Sequence, residues 1–315
     1  MQLTTNTRAF IEAEQYSDFI LMNLHDGMLP GNFYRNVTDF GSGETLHIKT
    51  VGTVTIQEAA EDTPLIYNPI ESGEITLQIT DYKGDAWYVT DDLREDGSQV
   101  DQLMAARSLE STRALQENFE TRFLETAVAG QLDADPNNIN GFAHRIVSTE
   151  TNGTFVLGSL IAMKLAFDKA NVPAEGRVFI VDPIVEATIN SIATITTDLT
   201  EYATRILEGG MARGQRFIYN LYGWDILVSN RLPRGEFSDG TTTIADGVAN
   251  IAMCIADDQT KPVMVAWRRQ PKAEGGRNYD RARDEFVVRC RYGMGVQRTD
   301  TLGVIVTSAT NYLPA

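Results

Sequence analysis

The chain has 315 residues, 43% of them hydrophobic, which is typical of a globular protein large enough for two cores. Its formal net charge of −16 argues against a surface that grips nucleic acid, because phosphate binding requires clustered Lys and Arg. No apolar run approaches the roughly 20 residues that span a bilayer, and the N-terminus lacks the basic-then-apolar order of a signal peptide. We therefore expect a protein made and used in a cytosol, with Cys254 and Cys290 reduced and buried.

The first predicted element is a docking helix close to the N-terminus. Asn6 or Thr7 can cap it, and it ends near Gly27. The apolar residues form a ragged stripe, which consists of Phe10, Ile11, Phe19, Ile20 and Leu24.

A long β arm is predicted from 43 to 90. Apolar and polar side chains alternate from 44 to 57 and again from 75 to 79, so each strand has one apolar face. Residues 58 to 73 are acidic and contain two prolines, which suits the tip of a hairpin. An isolated ribbon is marginal in water, so its apolar face needs another surface, in the same chain or in the next one. The candidate inter-subunit contacts on the arm are Leu46, Ile48, Val54, Ile56, Ile75, Leu77 and Ile79.

A long helix is predicted from Gln99 to about Ala129. This segment contains neither Pro nor Gly and is rich in good helix formers, so it forms a rod of roughly 45 Å. Its apolar stripe is only partial, which indicates a strut across a domain rather than a central helix. It stops at Gly130, and a turn-rich loop follows up to Gly141.

Two segments carry opposite charge. From Asp91 to Glu125 nine acidic residues and four arginines give a net charge of −5, whereas from Arg268 to Arg298 nine bases and four acids give +5. Such blocks pair within a fold or between subunits, or else they form two separately solvated faces. The pairing hypothesis makes Glu110, Glu117, Arg289 and Arg291 further candidate contact residues.

After Thr154 helices and strands alternate, which predicts a second, compact α/β domain. Its predicted helices are 157–171 and 183–194, and its predicted strands are 177–181, 224–229 and 263–267. Two final strands, 285–292 and 302–307, are joined by a Gly-rich turn. We expect them to return to the long helix, which makes the first domain discontinuous.

The sequence predicts no catalytic, cofactor-binding or metal site. A hydrolase triad is unsupported, because there are three histidines and no Gly-x-Ser-x-Gly elbow. Asp133 begins a calcium-loop pattern, but Asn138 stands at the sixth position, where Gly is required. The pair Gly293 and Gly295 lacks the third glycine of a dinucleotide-binding motif. Scattered carboxylates leave a cytosolic α/β enzyme that depends on carboxylates as a remote alternative.

In this order of elements, the chain resembles the major capsid (head) proteins of tailed double-stranded DNA bacteriophages, whose fold is shared with herpesvirus capsid floors and encapsulins. The resemblance covers nearly the whole chain, and the order and spacing of its sequence strings are more specific than any one string. The strings are Gly43-Glu-Thr-Leu-His-Ile48, the segment from Leu77 to Asp92, the segment from Val172 to Pro183, and the segment from Gly223 to Pro233.

The resemblance implies an α+β fold of the tailed-phage capsid type. Its parts would be an N-terminal arm at 1–40, an extended β-hairpin loop at 41–90, an axial α/β domain at 155–270, and a peripheral domain at 91–154 and 271–315 with a spine helix at 98–130. The family has no catalytic residues in general, so the resemblance implies a structural protein and no enzyme.

The resemblance also implies partners and a location. Copies of the chain would self-assemble through pentamers and hexamers into the icosahedral capsid of a virion, in the host cytoplasm, around double-stranded DNA that they contact little. A separate scaffolding protein and a portal protein are expected, a decoration protein is a further candidate, and no membrane, cofactor or metal is involved. The alternative within the same fold is an encapsulin-like nanocompartment shell protein.

Overall fold

The computed structural model describes residues 33–37, 43, 45–52, 56–58, 61, 72–96, 100–129, 137–150, 152–195, 217–238 and 241–311. The predicted N-terminal helix, Val54 and most of the predicted hairpin tip lie outside these residues. The described helices are α1 (Asp91–Asp96), α2 (Val100–Ala129), α3 (Leu157–Lys169) and α4 (Pro183–Ile195). The described strands are β1 (Arg35–Val37), β2 (Thr45–Val51), β3 (Ser72–Gln78), β4 (Asp81–Thr90), β5 (Asn138–Ile139), β6 (Phe142–Ala143), β7 (Arg145–Val147), β8 (Arg177–Val181), β9 (Phe217–Leu221), β10 (Trp224–Val228), β11 (Arg234–Ser238), β12 (Thr243–Cys254), β13 (Val263–Asn278), β14 (Arg283–Val296) and β15 (Leu302–Ser308).

A four-stranded sheet has the strand order β1-β13-β14-β4. Strands β13 and β14 form a long antiparallel hairpin, β4 runs antiparallel to β14, and β1 runs parallel to β13. Its central hairpin is longer than the sequence predicted, because the strand expected at 263–267 continues to Asn278. In the extension 268–278 only Pro271 and Ala273 are apolar and buried, so it lacks the continuous apolar run of a fully buried strand.

Helix α2 covers one face of this sheet, which confirms the predicted long helix. Its 30 residues contain neither Pro nor Gly. The Phe119 ring stacks on Trp267 of β13, with ring centroids 5.2 Å apart, and meets Tyr292 of β14 edge-on at 5.4 Å. Aromatic pairs of this kind add to the stabilisation that area burial alone provides. The helix is therefore held across the sheet by its middle turns.

A second, seven-stranded sheet has the path β7-β15-β12-β8-β10-β9, with β11 paired to β12. Helices α3 and α4 contribute to the apolar cluster on this sheet, in which Phe167 meets Trp224 edge-on at 5.0 Å. The expected helices at 157–171 and 183–194 and the expected strands at 177–181 and 224–229 are all present with small shifts at their ends. The third expected strand, 263–267, lies instead at the start of β13 in the four-stranded sheet, so the prediction that it belongs to this unit is wrong. Its continuously apolar residues fit the buried centre of either sheet, and only the distant pairing with β14 decides between them.

The two C-terminal strands do not stay together as predicted. Strand β14 belongs to the four-stranded sheet, whereas β15 lies between β7 and β12 in the seven-stranded sheet. The predicted Gly-rich turn is also wrong, because Gly293 and Gly295 lie inside β14. All seven residues of β15 are buried, and this burial on both faces explains its continuous apolar character.

Strands β2 and β3 form a separate two-stranded ribbon. The pairing sets Ile48 opposite Ile75 and Leu46 opposite Leu77, so the predicted apolar face exists. The first strand is shorter than the expected 44–57, since β2 ends at Val51. Beyond it Ile56 is 93% exposed.

Candidate subunit-contact surfaces

The root of the ribbon crosses β14 at two glycines. A β-carbon on Gly293 would overlap the backbone carbonyl of Gln78, and one on Gly295 would lie 2.9 Å from the Leu77 side chain. Only glycine lets the two backbones approach so closely. The sequence patterns had indicated an incomplete nucleotide-binding motif and a turn at this glycine pair. Two glycines at i and i+2 inside an apolar strand were the available signal for a close backbone crossing.

The apolar face of the ribbon packs on its own subunit. Leu77, with 1% exposure, forms a cluster with Met264 and Ala266 of β13. Ile79 is also buried, at 3% exposure. The other residues that pack on this cluster are half-buried, namely Val37 of β1 and Leu46, Ile48 and Ile75 of the ribbon. The ribbon therefore runs from its root on β14 over β13 towards β1.

Of the predicted contact residues on the ribbon, Leu46, Ile48 and Ile75 are half-buried on the subunit's own cluster, and the others fall into three groups. The buried ones, Leu77 and Ile79, already have partners within the chain, and Ile56 is fully accessible. Val54 lies outside the described residues. Since one subunit does not test contacts between subunits, the inter-subunit role of these residues stays a prediction.

Four basic residues form what we call the basic strip, on the sheet face opposite α2. The strip consists of Arg269, Lys272, Arg289 and Arg291. On β14 the buried residues Val288, Cys290 and Tyr292 point towards α2, so the arginines between them point the other way. Strand pairing sets Arg269 opposite Arg291 and Lys272 opposite Arg289. At the ribbon end, the strip borders a crevice of about 790 Å³ that Thr45, Gln78 and Arg291 help to line.

The described ion pairs of the acidic helix α2 lie away from this strip. Glu117 of α2 instead accepts hydrogen bonds from Arg113 at 3.1 Å and from Arg231 at 2.9 Å, and Arg231 also pairs with Glu120. Glu110 is exposed. Because α2 and the strip lie on opposite faces of the sheet, pairing of Glu110 or Glu117 with Arg289 or Arg291 could occur only between subunits, and there it stays a prediction.

The two charge blocks do meet at one place in the fold. Arg277 of β13 donates hydrogen bonds of 2.6 Å to both carboxylate oxygens of Asp91, and Arg94 donates one of 2.7 Å to Asp284. The hydrogen bond from Arg277 lowers the pKa of Asp91 below its usual value. Since these groups are partly exposed, the pairs orient α1 against the end of the hairpin more than they stabilise it.

The described histidines and cysteines, which are the residue types most often used in catalysis and metal binding, do not form a common site. His25 lies outside the described residues, His47 sits on the ribbon beside Glu74, and His144 is fully buried against Phe167. Both cysteines are buried and free, as predicted, and burial raises the pKa of Cys290 to about 11. Among the described residues no group of three or more His, Cys, Asp or Glu side chains could hold a metal ion. None of the described helices is both long and apolar enough to cross a membrane.

Solved capsid structures share this fold. The capsid structure of cyanophage P-SCSP1u superposes with a TM-score of 0.63 over 90% of this chain and 89% of the other, at 19% identity. The mature capsid of bacteriophage PhiM1 gives 0.64 over 90% and 88%, at 11% identity. The SrpI encapsulin of Synechococcus elongatus gives 0.54 over 90% and 89%, at 13% identity. The fold is therefore that of shell-forming capsid proteins, as the sequence resemblance predicted.

The sequence itself shows the family. A family model described as phage capsid protein matches residues 73–307, which is most of the chain, and the chain belongs to this family. None of the curated proteins that were compared matches the sequence. The protein is thus a structural subunit of a viral capsid, and its place is the virion.

Proposed function

We propose that copies of this chain assemble through pentamers and hexamers into an icosahedral shell around double-stranded DNA, with each ribbon lying across an adjacent copy. The observation that carries the proposal is the course of the ribbon. Its base packs on Met264 and Ala266, and its two strands then lead towards β1 at the edge of the sheet. A ribbon beyond that edge needs another surface, because two strands alone are marginal in water.

Weak contacts suffice for such a shell. Each ribbon adds apolar burial at about 25 cal/mol per Å². In a closed shell each subunit makes several contacts at once. A subunit held by one contact presents its other surfaces at a high effective concentration, so contacts that are weak individually give a stable shell. The ribbon fits this requirement. Its root is fixed within the subunit by Gly293, Gly295 and the buried Leu77, while Ile56 is exposed and available for a weak contact with another subunit.

The domain assignment supports the same function. We assign 1–40 to an N-terminal arm, 41–90 to the extended loop, 155–270 to the axial domain, and 91–154 with 271–315 to the peripheral domain around a spine helix at 98–130. Helix α2 fits the spine position. Strand β15 ties the C-terminal part of the peripheral domain into the axial sheet, so the two domains share a sheet as well as a core.

The partners follow from the role. A separate scaffolding protein would guide assembly, a portal protein would occupy one vertex, and a decoration protein is a candidate for the outer surface. Direct contact with DNA would be slight, because the net charge of −16 repels phosphate. We propose no enzymatic activity for the chain.

An encapsulin-like compartment is the second candidate, since the SrpI encapsulin shares the fold over 90% of this chain. The two kinds of shell differ in what they enclose, because a viral capsid holds a nucleic acid genome and an encapsulin holds protein. Nuclease-resistant DNA in particles isolated with the virus would support the capsid. Particles that contain a protein cargo and no DNA would support the compartment.

The experiment for assembly is sedimentation of the purified protein, alone and with the scaffolding protein of its own virus. We expect a species of many megadaltons with uniform size. A single discrete species of about 35 kDa under every condition would overturn the proposal.

A further inference from the structure

Strand β4 forms an open edge of the four-stranded sheet. Its ten residues pair with β14 on one side, and no described strand pairs with it on the other. The backbone amide of Ala86 donates to the side chain of Asp85 rather than to β14, so it points outward along this edge. The amides of alternate residues in a strand point to the same side, so those of Tyr82, Gly84 and Tyr88 also face outward. The edge therefore presents a row of backbone groups with which a further strand can pair.

The second half of β4 has the composition of an aggregation-prone segment. The stretch Ala86-Trp-Tyr-Val-Thr90 carries no charge, contains neither Pro nor Gly, and is rich in residues with high β-propensity. Tyr88 is 58% exposed, so apolar area is available as well. Uncharged segments of this kind on an open edge tend to add to one another, and natural sequences place a charged residue beside them.

Asp85 is the charged residue beside this segment, and its carboxylate covers the edge. One carboxylate oxygen accepts the outward amide of Ala86 at 2.9 Å, and both oxygens accept hydrogen bonds of 2.9 Å from Arg107 of α2. Arg107 also lies over the Trp87 ring, 5.9 Å from its centroid, so the arginine is held at two points. A strand that added to this edge would displace the carboxylate from the Ala86 amide and take its charge out of water. Both costs oppose pairing.

We infer that Asp85, held in place by Arg107, prevents the β4 edges of two copies of this chain from pairing with each other. The excluded partner is a second copy, because two identical edges can pair antiparallel about a two-fold axis. Such a pair centred on Ala86 would place the two Asp85 carboxylates at diagonal positions, within reach of each other, where like charges repel. Without this protection, free subunits would be diverted into irregular aggregates. The protection acts on the free subunit, so it does not depend on the shell that we propose.

Asp85→Ala tests the protection. We expect the self-association of the free subunit to strengthen about tenfold, because the substitution removes both the charge and the hydrogen bond at the Ala86 amide. Light scattering after dilution from denaturant measures the association, and electron microscopy distinguishes irregular aggregates from shells. Hydrogen exchange at the outward amides of β4 should be slower in the associated protein than in the monomer. The matched control, Asp92→Ala, removes an exposed carboxylate outside β4 and should behave like the unaltered chain.

A proline at the next position tests whether the edge itself is responsible. In a chain with Asp85→Ala and Ala86→Pro the outward amide is absent, and proline is tolerated in an edge strand where its nitrogen faces solvent. We expect this double variant to lose the added association. Arg107→Ala leaves the carboxylate in place and should increase association less than Asp85→Ala does.

Three results would overturn the inference. The first is unchanged association for Asp85→Ala. The second is an equally large effect of Arg107→Ala, which would assign the aggregation to a loosened α2. The third is aggregation that accompanies a lower melting temperature of Asp85→Ala and persists with the proline, because it would then come from unfolding of the subunit.

Discussion

Gly293 of β14 lies directly against the backbone of Gln78, so close that a β-carbon would overlap the Gln78 carbonyl oxygen. This crossing fixes where the ribbon leaves the four-stranded sheet. The root of the ribbon is held here, with Leu77 buried between Gly295 and Met264. A strand glycine thus determines the course of the proposed contact arm.

Gly293→Ala should displace the ribbon root. We expect a loss of about 1–3 kcal/mol in unfolding free energy, which is typical of overpacking where a backbone must shift. Assembly should fail or give irregular particles. Gly276→Ala is the control, since a β-carbon at that position of β13 meets nothing within 4 Å. Denaturant unfolding and electron microscopy measure the two effects. Equal behaviour of the two variants would contradict the role of the crossing.

Ile56→Asp should separate folding from assembly. Ile56 is 93% exposed in the subunit, so we expect an unchanged melting temperature of the free subunit together with a lower yield of shells. Leu77→Ala provides the contrast, because truncating a fully buried Leu costs about 2–5 kcal/mol and should lower the melting temperature itself. Normal shell yield for Ile56→Asp would count against its predicted contact.

Phe119→Ala should loosen the long helix from the sheet. The ring packs on Trp267, Tyr292 and Tyr34, so we expect a loss of about 3–5 kcal/mol in unfolding free energy. Asn118→Ala changes the exposed neighbour and should have an effect below about 0.5 kcal/mol. Guanidinium unfolding followed by tryptophan fluorescence distinguishes the two variants. A small loss for Phe119→Ala would show that α2 is held elsewhere.

Acidification should destabilise the subunit through His144. Burial lowers the pKa of His144 below its usual 6.5, while Asp300 and the Phe142 carbonyl oppose this shift only in part. The unfolded chain therefore binds the proton more readily than the folded one. Stability from this group is complete above about pH 6.5 and is lost as the pH falls towards the lowered pKa.

The measurement for His144 is the melting temperature between pH 8 and pH 5. We expect His144→Phe to flatten the profile in this range, because the substituted ring cannot titrate. An identical slope for the unaltered chain and His144→Phe would show that other groups govern the acid sensitivity.

The sequence predicted the parts of the fold that depend on local pattern. The Gln99 to Ala129 segment forms a helix because it lacks Pro and Gly, and 177–181 forms a buried strand because it is continuously apolar. The alternation of apolar and polar residues also predicted the apolar face of the ribbon, on which Leu46 of β2 lies opposite Leu77 of β3. These features need no knowledge of which elements become neighbours.

The errors arose where distant contacts decide the structure. Strand β15 pairs with β12 in the seven-stranded sheet, and nothing near Leu302 in the sequence indicates that partner. Gly293 looked like a turn residue because its actual role requires a backbone crossing from Gln78, 215 residues earlier. The basic strip was found only in part, since the pairing of Lys272 with Arg289 depends on two irregularities in the β13–β14 register.

Cryo-electron microscopy of the assembled particle tests the central claim most directly. We predict a closed icosahedral shell of this chain, with α2 crossing each subunit, the base of each ribbon packed on its own β13, and the segment that joins β2 to β3 in contact with an adjacent copy. Discrete small particles under all assembly conditions would contradict the capsid function. A closed shell in which the segment that joins β2 to β3 contacts only its own subunit would contradict the contact that we propose.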